Sequence, residues 1–467
     1  MRTMPARLLS IGLFLFCASL CAAADVNLAS SPQAGVTSHP ASSDNRSLTL
    51  LVLPFENESR MANLDWLGEG LSELTSERLL DRGVSVLSRQ DRLATLEKMG
   101  LPDTTRLSHA TIVKIATEAD ADVVVYGRFV SDGKTVTLEA HVLHVSPPSL
   151  SSALAQSTDM AGLLRAHARL SLQILCSIDE RNCVAERASA DSSGFSEPPP
   201  SLRLDALENF IRGVTAMDDE ARLRFLREAS RLEPDWDRPP FELGQIYFER
   251  RDCETALPWF SRVPPVRPDG PEASFDAGVC QLQRNDPARA DAAFSGLIER
   301  ARSTDSKDQL PEFPEVHNNL GVARLRLGKW SEAAAEFERA TALDSEEPNY
   351  WLNLGIARLA GKQAAAAVAP LEQARNLEPE DKDARALLIS TLESVGRSSD
   401  ASAIQAEAAD GAGRATGPNV QDSVALAKLA RVSRKFDRAL LRATSEGSDA
   451  GTSAHTPRKA GAGRGVR

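Results

Sequence analysis

Residues 314–381 constrain this chain more than any other stretch, because they hold two copies of one 34-residue pattern laid end to end. The first copy reads PEVHNNLGVARLRLGKWSEAAAEFERATALDSEE and the second PNYWLNLGIARLAGKQAAAAVAPLEQARNLEPED. Aligned without a gap, they pair Asn319 with Asn353, Leu320 with Leu354, Gly321 with Gly355, Ala333 with Ala367 and Phe337 with Leu371. Small residues recur where two helices must approach closely, and larger apolar residues fill the space between them. A unit of two antiparallel helices cannot bury its apolar faces alone, so such units must stack into an array.

The pattern resembles the tetratricopeptide repeat. It extends in both directions, predicting an array of about six helix-turn-helix units over residues 202–410. The second unit keeps Gly244, Ala256 and Phe260, and the third keeps Gly278, Ala290 and Phe294, followed by about nine extra residues before the register resumes at Pro314. With Gly321, Ala333, Gly355 and Ala367, these small residues are the predicted packing positions. The outer units are degenerate, as end units facing solvent should be.

The resemblance also implies where a ligand would lie. In this family the first helix of each unit lines the concave surface, and an Asn two residues before the Gly is a frequent contact to peptide backbone. Asn319 and Asn353 match that position, while Glu242 and Asp276 stand there in the earlier units. An amide donates and accepts at once, which suits an extended peptide with unpaired N–H and C=O groups. The groove is therefore predicted to be neutral at one end and acidic at the other, with Phe241 and Phe275 either offering apolar contacts there or packed within the array. The cationic set that the family uses to clamp a free peptide carboxylate is missing. The alternative, that Asn319 and Asn353 are unliganded surface amides, stays open.

Before the array lies a region of mixed character. Arg2, Arg7, the apolar run at 8–20 and the small residues Ala22, Ala23 and Ala24 predict a cleaved secretory signal over residues 1–24. Residues 25–45 are rich in Ser, Ala and Pro and read as a flexible linker. Over residues 46–186 short apolar runs (LTLLVLPF, VSVL, DVVVYGRFV) alternate with helical patterns and end in a hairpin, predicting a small α/β domain. VLPFEN at 52–57, GEGLSELTSERL at 68–79 and LSRQDRLATLEKMG at 87–100 resemble the amino-terminal domain of TolB and FlgO- and CsgG-like envelope proteins. That resemblance implies an interaction module rather than a catalyst. A linker at 187–201, with three consecutive prolines, separates the α/β domain from the array.

Of six cysteines, Cys17 and Cys21 fall in the signal, leaving Cys176, Cys183, Cys253 and Cys280. An even number in an exported chain permits two disulfides, in three pairings; neighbours in sequence would join Cys176 to Cys183 and Cys253 to Cys280. Free buried thiols are the other reading.

Net charge is −11, but residues 411–467 hold eleven Lys/Arg against four Asp/Glu (+7), so the preceding residues carry −18. An acidic body argues against nucleic acid as partner. Within the basic end, residues 424–443 carry a helical apolar stripe that could cap the array, touch anionic lipid at the periphery of the envelope, or fold back on the acidic repeats; a disordered tail follows. No run after the signal is apolar enough to span a membrane, so the mature chain is expected in a bacterial periplasm. No phosphate-binding loop, nucleophile elbow or zinc motif is present, and His141 and His144, three apart on a strand, point to opposite faces. The sequence therefore reads as a non-enzymatic scaffold, without cofactor or metal, that binds protein or peptide partners. A sensor whose α/β domain binds a small ligand is the alternative.

Overall fold

The computed structural model describes residues 48–59, 61–102, 107–178, 183, 202–303, 309–408, 419–438 and 440–441. The signal and linker expected at 1–45, the Pro-rich linker at 187–201 and the tail beyond 441 lie outside the described residues.

Strand β1 (Thr49–Val52) is apolar and buried over Leu50–Val52 because helices cover both faces of its sheet. Leu50 and Val52 point into one core with Leu67, Leu71 and Ile174, while Leu51 and Leu53 point into another with Leu96, Ile112 and Ile115. The first face is covered by α1 (Trp66–Leu80) and α4 (Leu163–Ile178), the second by α2 (Arg89–Lys98) and α3 (His109–Glu118). β1 runs parallel to both β3 (Ser85–Val86) and β4 (Val123–Ser131), and β4 turns into the antiparallel β5 (Thr135–His144). Short β2 (Glu56–Asn57) joins β4, and β6 (Ser149–Leu150) and β7 (Leu154–Asp159) pair with β5. Sequence reasoning missed β7, whose residues are half-exposed and only weakly apolar.

Six helix pairs follow. They are α5 (Leu204–Thr215) with α6 (Asp219–Leu232), α7 (Arg238–Glu249) with α8 (Cys253–Phe260), and α9 (Gly270–Gln283) with α10 (Pro287–Ala301). Next come α11 (Pro314–Arg326) with α12 (Trp330–Leu343), α13 (Pro348–Ala360) with α14 (Ala364–Leu377), and α15 (Lys382–Ser394) with α16 (Ser398–Ala408). The glycines perform the role their positions suggest. A Cβ on Gly278 would sit 2.6 Å from the Phe294 ring, one on Gly321 2.6 Å from Phe337, and one on Gly355 2.5 Å from Leu371. Each aromatic or leucine side chain lies flat on bare backbone, and Ala256, Ala290, Ala333 and Ala367 are buried beside them. The turn inside each unit repeats as well. Arg251, Asn285, Gly328, Lys362 and Gly396 all have positive φ, at 61°, 59°, 78°, 63° and 82°. Their spacing is 34 residues apart from one interval lengthened by nine, which is the insertion before Pro314.

Array and α/β domain pack together as parts of one unit. Leu74 of α1 joins the repeat core, and the buried Glu73 carboxylate accepts from Arg238 at 2.7 Å. Burial would raise the Glu73 carboxyl, but Arg238 and Arg92 outweigh it and hold it below the usual range. Arg267 reaches Asp237 at 2.7 Å and Glu77 at 3.1 Å, closing the same seam. The cysteines are joined as Cys176–Cys183 and Cys253–Cys280, the second linking α8 to α9. No helix among the described residues is long and apolar enough to cross a membrane.

Candidate peptide-binding groove

The inner faces of α7, α9, α11, α13 and α15 form a groove, and part of the chain itself lies in it. Helix α17 spans only Ser423–Leu429; where the apolar stripe predicted helix to 443, residues 430–437 are extended. α17 is anchored on the array by the buried Leu426 and Ala427 and by a hydrogen bond from the Ser423 hydroxyl to the Ala360 carbonyl (2.9 Å). Beyond it the segment runs antiparallel to the array, towards the first repeats.

Asn319 and Asn353 hold its backbone. The Arg431 N–H donates to Asn353 Oδ1 (2.8 Å), and Asn353 Nδ2 donates to the Arg431 carbonyl (2.8 Å). Asn319 does the same for Ser433, at 2.8 Å in each direction. One amide per unit thus pairs alternate residues of an extended strand, whose side chains on the intervening positions point elsewhere. The neighbouring Asn318, which the sequence reading did not single out, donates to the Arg431 carbonyl (3.0 Å) and accepts from Asn353 (2.7 Å). All three asparagines are fully buried and hydrogen-bonded.

Side-chain subsites flank these backbone contacts. At the end expected to be neutral, carboxylates stand instead: Arg431 forms an ion pair with Asp381 (2.7 Å) and donates to Asn349 Oδ1 (2.9 Å). Asp381 is fixed because it also caps α15, accepting from the Asp383 and Ala384 N–H groups. Burial pushes its carboxyl up, but Arg431 and the cap N–H groups dominate and hold it below the usual range. In the middle, Phe436 packs between Phe313 and Phe275, with ring centroids 4.5 and 5.4 Å away. The Asp437 N–H donates to Glu315 Oε1 (2.7 Å). At the acidic end, Arg438 pairs with Glu272 and stacks over Phe241, 5.4 Å from its centroid, while Arg434 lies 5.0 Å from Phe248.

Glu242 and Asp276 occupy the asparagine positions of the second and third units but do not hold backbone. Asp276 accepts from Gln245 (2.6 Å), and burial followed by the nearby Glu272 pushes its carboxyl well above the usual range. Glu242 is likewise raised by burial, in the wall of a cavity of about 200 Å³ that Arg438 also lines. Carboxyl groups crowded this way favour a cationic neighbour, and Arg434 and Arg438 supply one. The subsites at Asp381, Asn349, Glu272 and Phe313 carry no repeat signature, so a search for the repeat pattern could not find them.

A second cavity, of about 730 Å³, opens at the carboxyl end of β1, between Phe55, Trp66, Glu69, Arg92, Leu93 and Tyr126. His141 and His144 do not come together: His141 faces Glu139 (3.2 Å) and His144 the Ser177 carbonyl (3.5 Å). Among the described residues, no group of three or more His, Cys, Asp or Glu is arranged to hold a metal ion.

The Tetratricopeptide repeat family matches residues 241–306 and 318–384, four of the five units that line the groove. Over those residues the array is built of tetratricopeptide repeats. No curated protein sequence matches the chain significantly. Among solved structures it is similar to MamA, at 17% identity over 37% of this chain and 90% of that one, with a TM-score of 0.33. It is also similar to YrrB, described as a TPR protein with an unusual peptide-binding site, at 16% identity over 44% and 96%, TM-score 0.34. A third is the LpoB C-terminal domain of Salmonella enterica, at 17% identity over 26% and 88%, TM-score 0.22.

Proposed function

We propose that this protein is an exported, non-enzymatic scaffold of the bacterial envelope whose repeat groove holds an extended segment of a partner protein. One observation carries the reading: two repeat asparagines pair both backbone groups of alternate residues in an extended segment. That arrangement serves any peptide backbone, whatever its side chains. Four such bonds contribute about 1 kcal/mol each, and half-burying an aromatic side chain adds about 1–2 kcal/mol. Together these suit a reversible complex rather than a permanent one.

Export is supported by the signal-like residues 1–24 and by two cysteine pairs at bonding distance, which suit an oxidising compartment. The α/β domain, which in sequence resembles the TolB amino-terminal and FlgO/CsgG-like modules, then serves as a second interaction surface, fixed to the array through Glu73 and Arg238. The experiment is crosslinking in the native cell from a photoreactive residue placed at Tyr350, inside the groove. A partner protein captured by the unsubstituted groove and lost with Asn319→Ala/Asn353→Ala fits the scaffold. Capture unaffected by the double substitution contradicts it.

The cavity at the carboxyl end of β1 favours a second reading, a small-ligand sensor, since ligands of α/β sheets bind at such strand ends. A thermal shift from a metabolite, abolished by Tyr126→Phe or Arg92→Ala, supports that reading.

A further inference from the structure

The segment in the groove is more than a filler, because its side chains meet three separate subsites of matching chemistry. Arg431 enters the Asp381–Asn349 fork, Phe436 the Phe275–Phe313 cleft, and Arg438 the Glu272–Phe241 corner. The spacing between them is set by an extended chain, which advances about 3.3 Å per residue. Lys435 and Asp437 remain exposed between these anchors. Every backbone hydrogen bond described for residues 431–437 with another part of the chain goes to a groove side chain.

Resting on the scaffold reading above, we infer that the groove reads basic segments of the pattern Arg-x-Ser-x-x-Phe-x-Arg, the serine being read by Asn318, whose Nδ2 donates to the Ser433 hydroxyl (3.1 Å). Residues 431–438 are its resident copy, displaced when a partner protein presents the same pattern. Charge supports a basic partner: the body that forms the groove is acidic, and each arginine of residues 431–438 faces a carboxylate or an aromatic ring. Anchorage of α17 supports displacement over loss. With Leu426 fully buried, residues 430–441 can leave by pivoting near Ala430 while their base stays attached. A tethered competitor acts at an effective concentration of order millimolar, so a free peptide binds only to the fraction of molecules whose groove is open.

The test uses a labelled peptide of residues 428–441 (KLARVSRKFDRALL) and a scrambled peptide of the same composition. Each is titrated against the full chain, and against full chains opened by Arg431→Ala/Phe436→Ala/Arg438→Ala or, as a second variant, Arg431→Glu/Arg438→Glu. The expected result is at least tenfold tighter binding of the patterned peptide to both opened chains than to the unsubstituted one. The scrambled peptide should bind at least tenfold more weakly, and Asn319→Ala/Asn353→Ala in an opened chain should abolish binding. Equal binding of the two peptides to the opened chains overturns the pattern while leaving a peptide groove in place. Binding of neither peptide by either opened chain overturns both. Equal binding of the patterned peptide to closed and opened chains overturns the resident-copy claim.

Discussion

Replacing Gly321 by Ala tests the repeat packing with a single methyl group. The added Cβ would lie 2.6 Å from Phe337 Cε1 and 2.8 Å from its neighbours in the ring, where carbon atoms prefer about 3.5–4.0 Å. Phe337 is fully buried, so the ring cannot swing into solvent, and α11 and α12 must separate by about 1 Å. Overpacking of that kind costs about 1–3 kcal/mol, against about 1 kcal/mol gained because Ala favours a helix interior more than Gly. The net expectation is a loss of up to about 2 kcal/mol. Gly296, in α10, is the control, since a Cβ there meets nothing within 4 Å. The same exchange should stabilise that site by about 0.5–1 kcal/mol. Urea unfolding followed by helix circular dichroism reads both as shifts in midpoint, downward for Gly321→Ala and upward for Gly296→Ala. Equal upward shifts would refute the close approach on which the array is built.

Two further predictions concern stability alone. Burial, reinforced by Arg78, holds His167 down at about 3, so the folded protein keeps it neutral above that pH while the unfolded chain takes up a proton near 6.5. Stability from this group is therefore full above pH 6.5 and lost as pH falls towards 3, at about 1.4 kcal/mol per pH unit. His167→Gln should flatten the slope of unfolding midpoint against pH between 6 and 4, and parallel profiles would contradict it. Arg251 bears a side chain at φ 61°, in the left-handed region. Arg251→Gly should raise the unfolding midpoint by the equivalent of about 1 kcal/mol, and a lowered midpoint would show that its side-chain contacts matter more.

The array was legible because its physics is local and repeated. A glycine facing a phenylalanine 16 residues later recurs as Gly244–Phe260, Gly278–Phe294 and Gly321–Phe337, and the turn residues keep the same register. Asn319 and Asn353 could be picked out for the same reason. What was not legible depends on contacts between distant residues. The stripe from Val424 to Leu441 satisfies helical periodicity, yet residues 430–437 break the helix between Ser423–Leu429 and a short helical stretch that begins at Arg438. Downstream, the buried amides of the groove offer Arg431 and Ser433 backbone partners that compete with the helix's own i to i−4 bonds. Leu74 and Glu73 pack α1 against the repeats, a pairing visible in neither segment alone. Strand β7 was missed because an edge strand with one face in solvent carries little apolar signal.

Hydrogen exchange at the Arg431 and Ser433 amides tests the central claim, that repeat asparagines hold an extended backbone in the groove. Both N–H groups donate to buried amide oxygens, at 2.8 Å, and should exchange at least about tenfold more slowly than an unstructured segment. Asn353→Ala should release Arg431 first and Asn319→Ala Ser433 first, with the helices of the array unchanged. Exchange of both amides in the unsubstituted chain at the rate of an unstructured peptide would contradict the account.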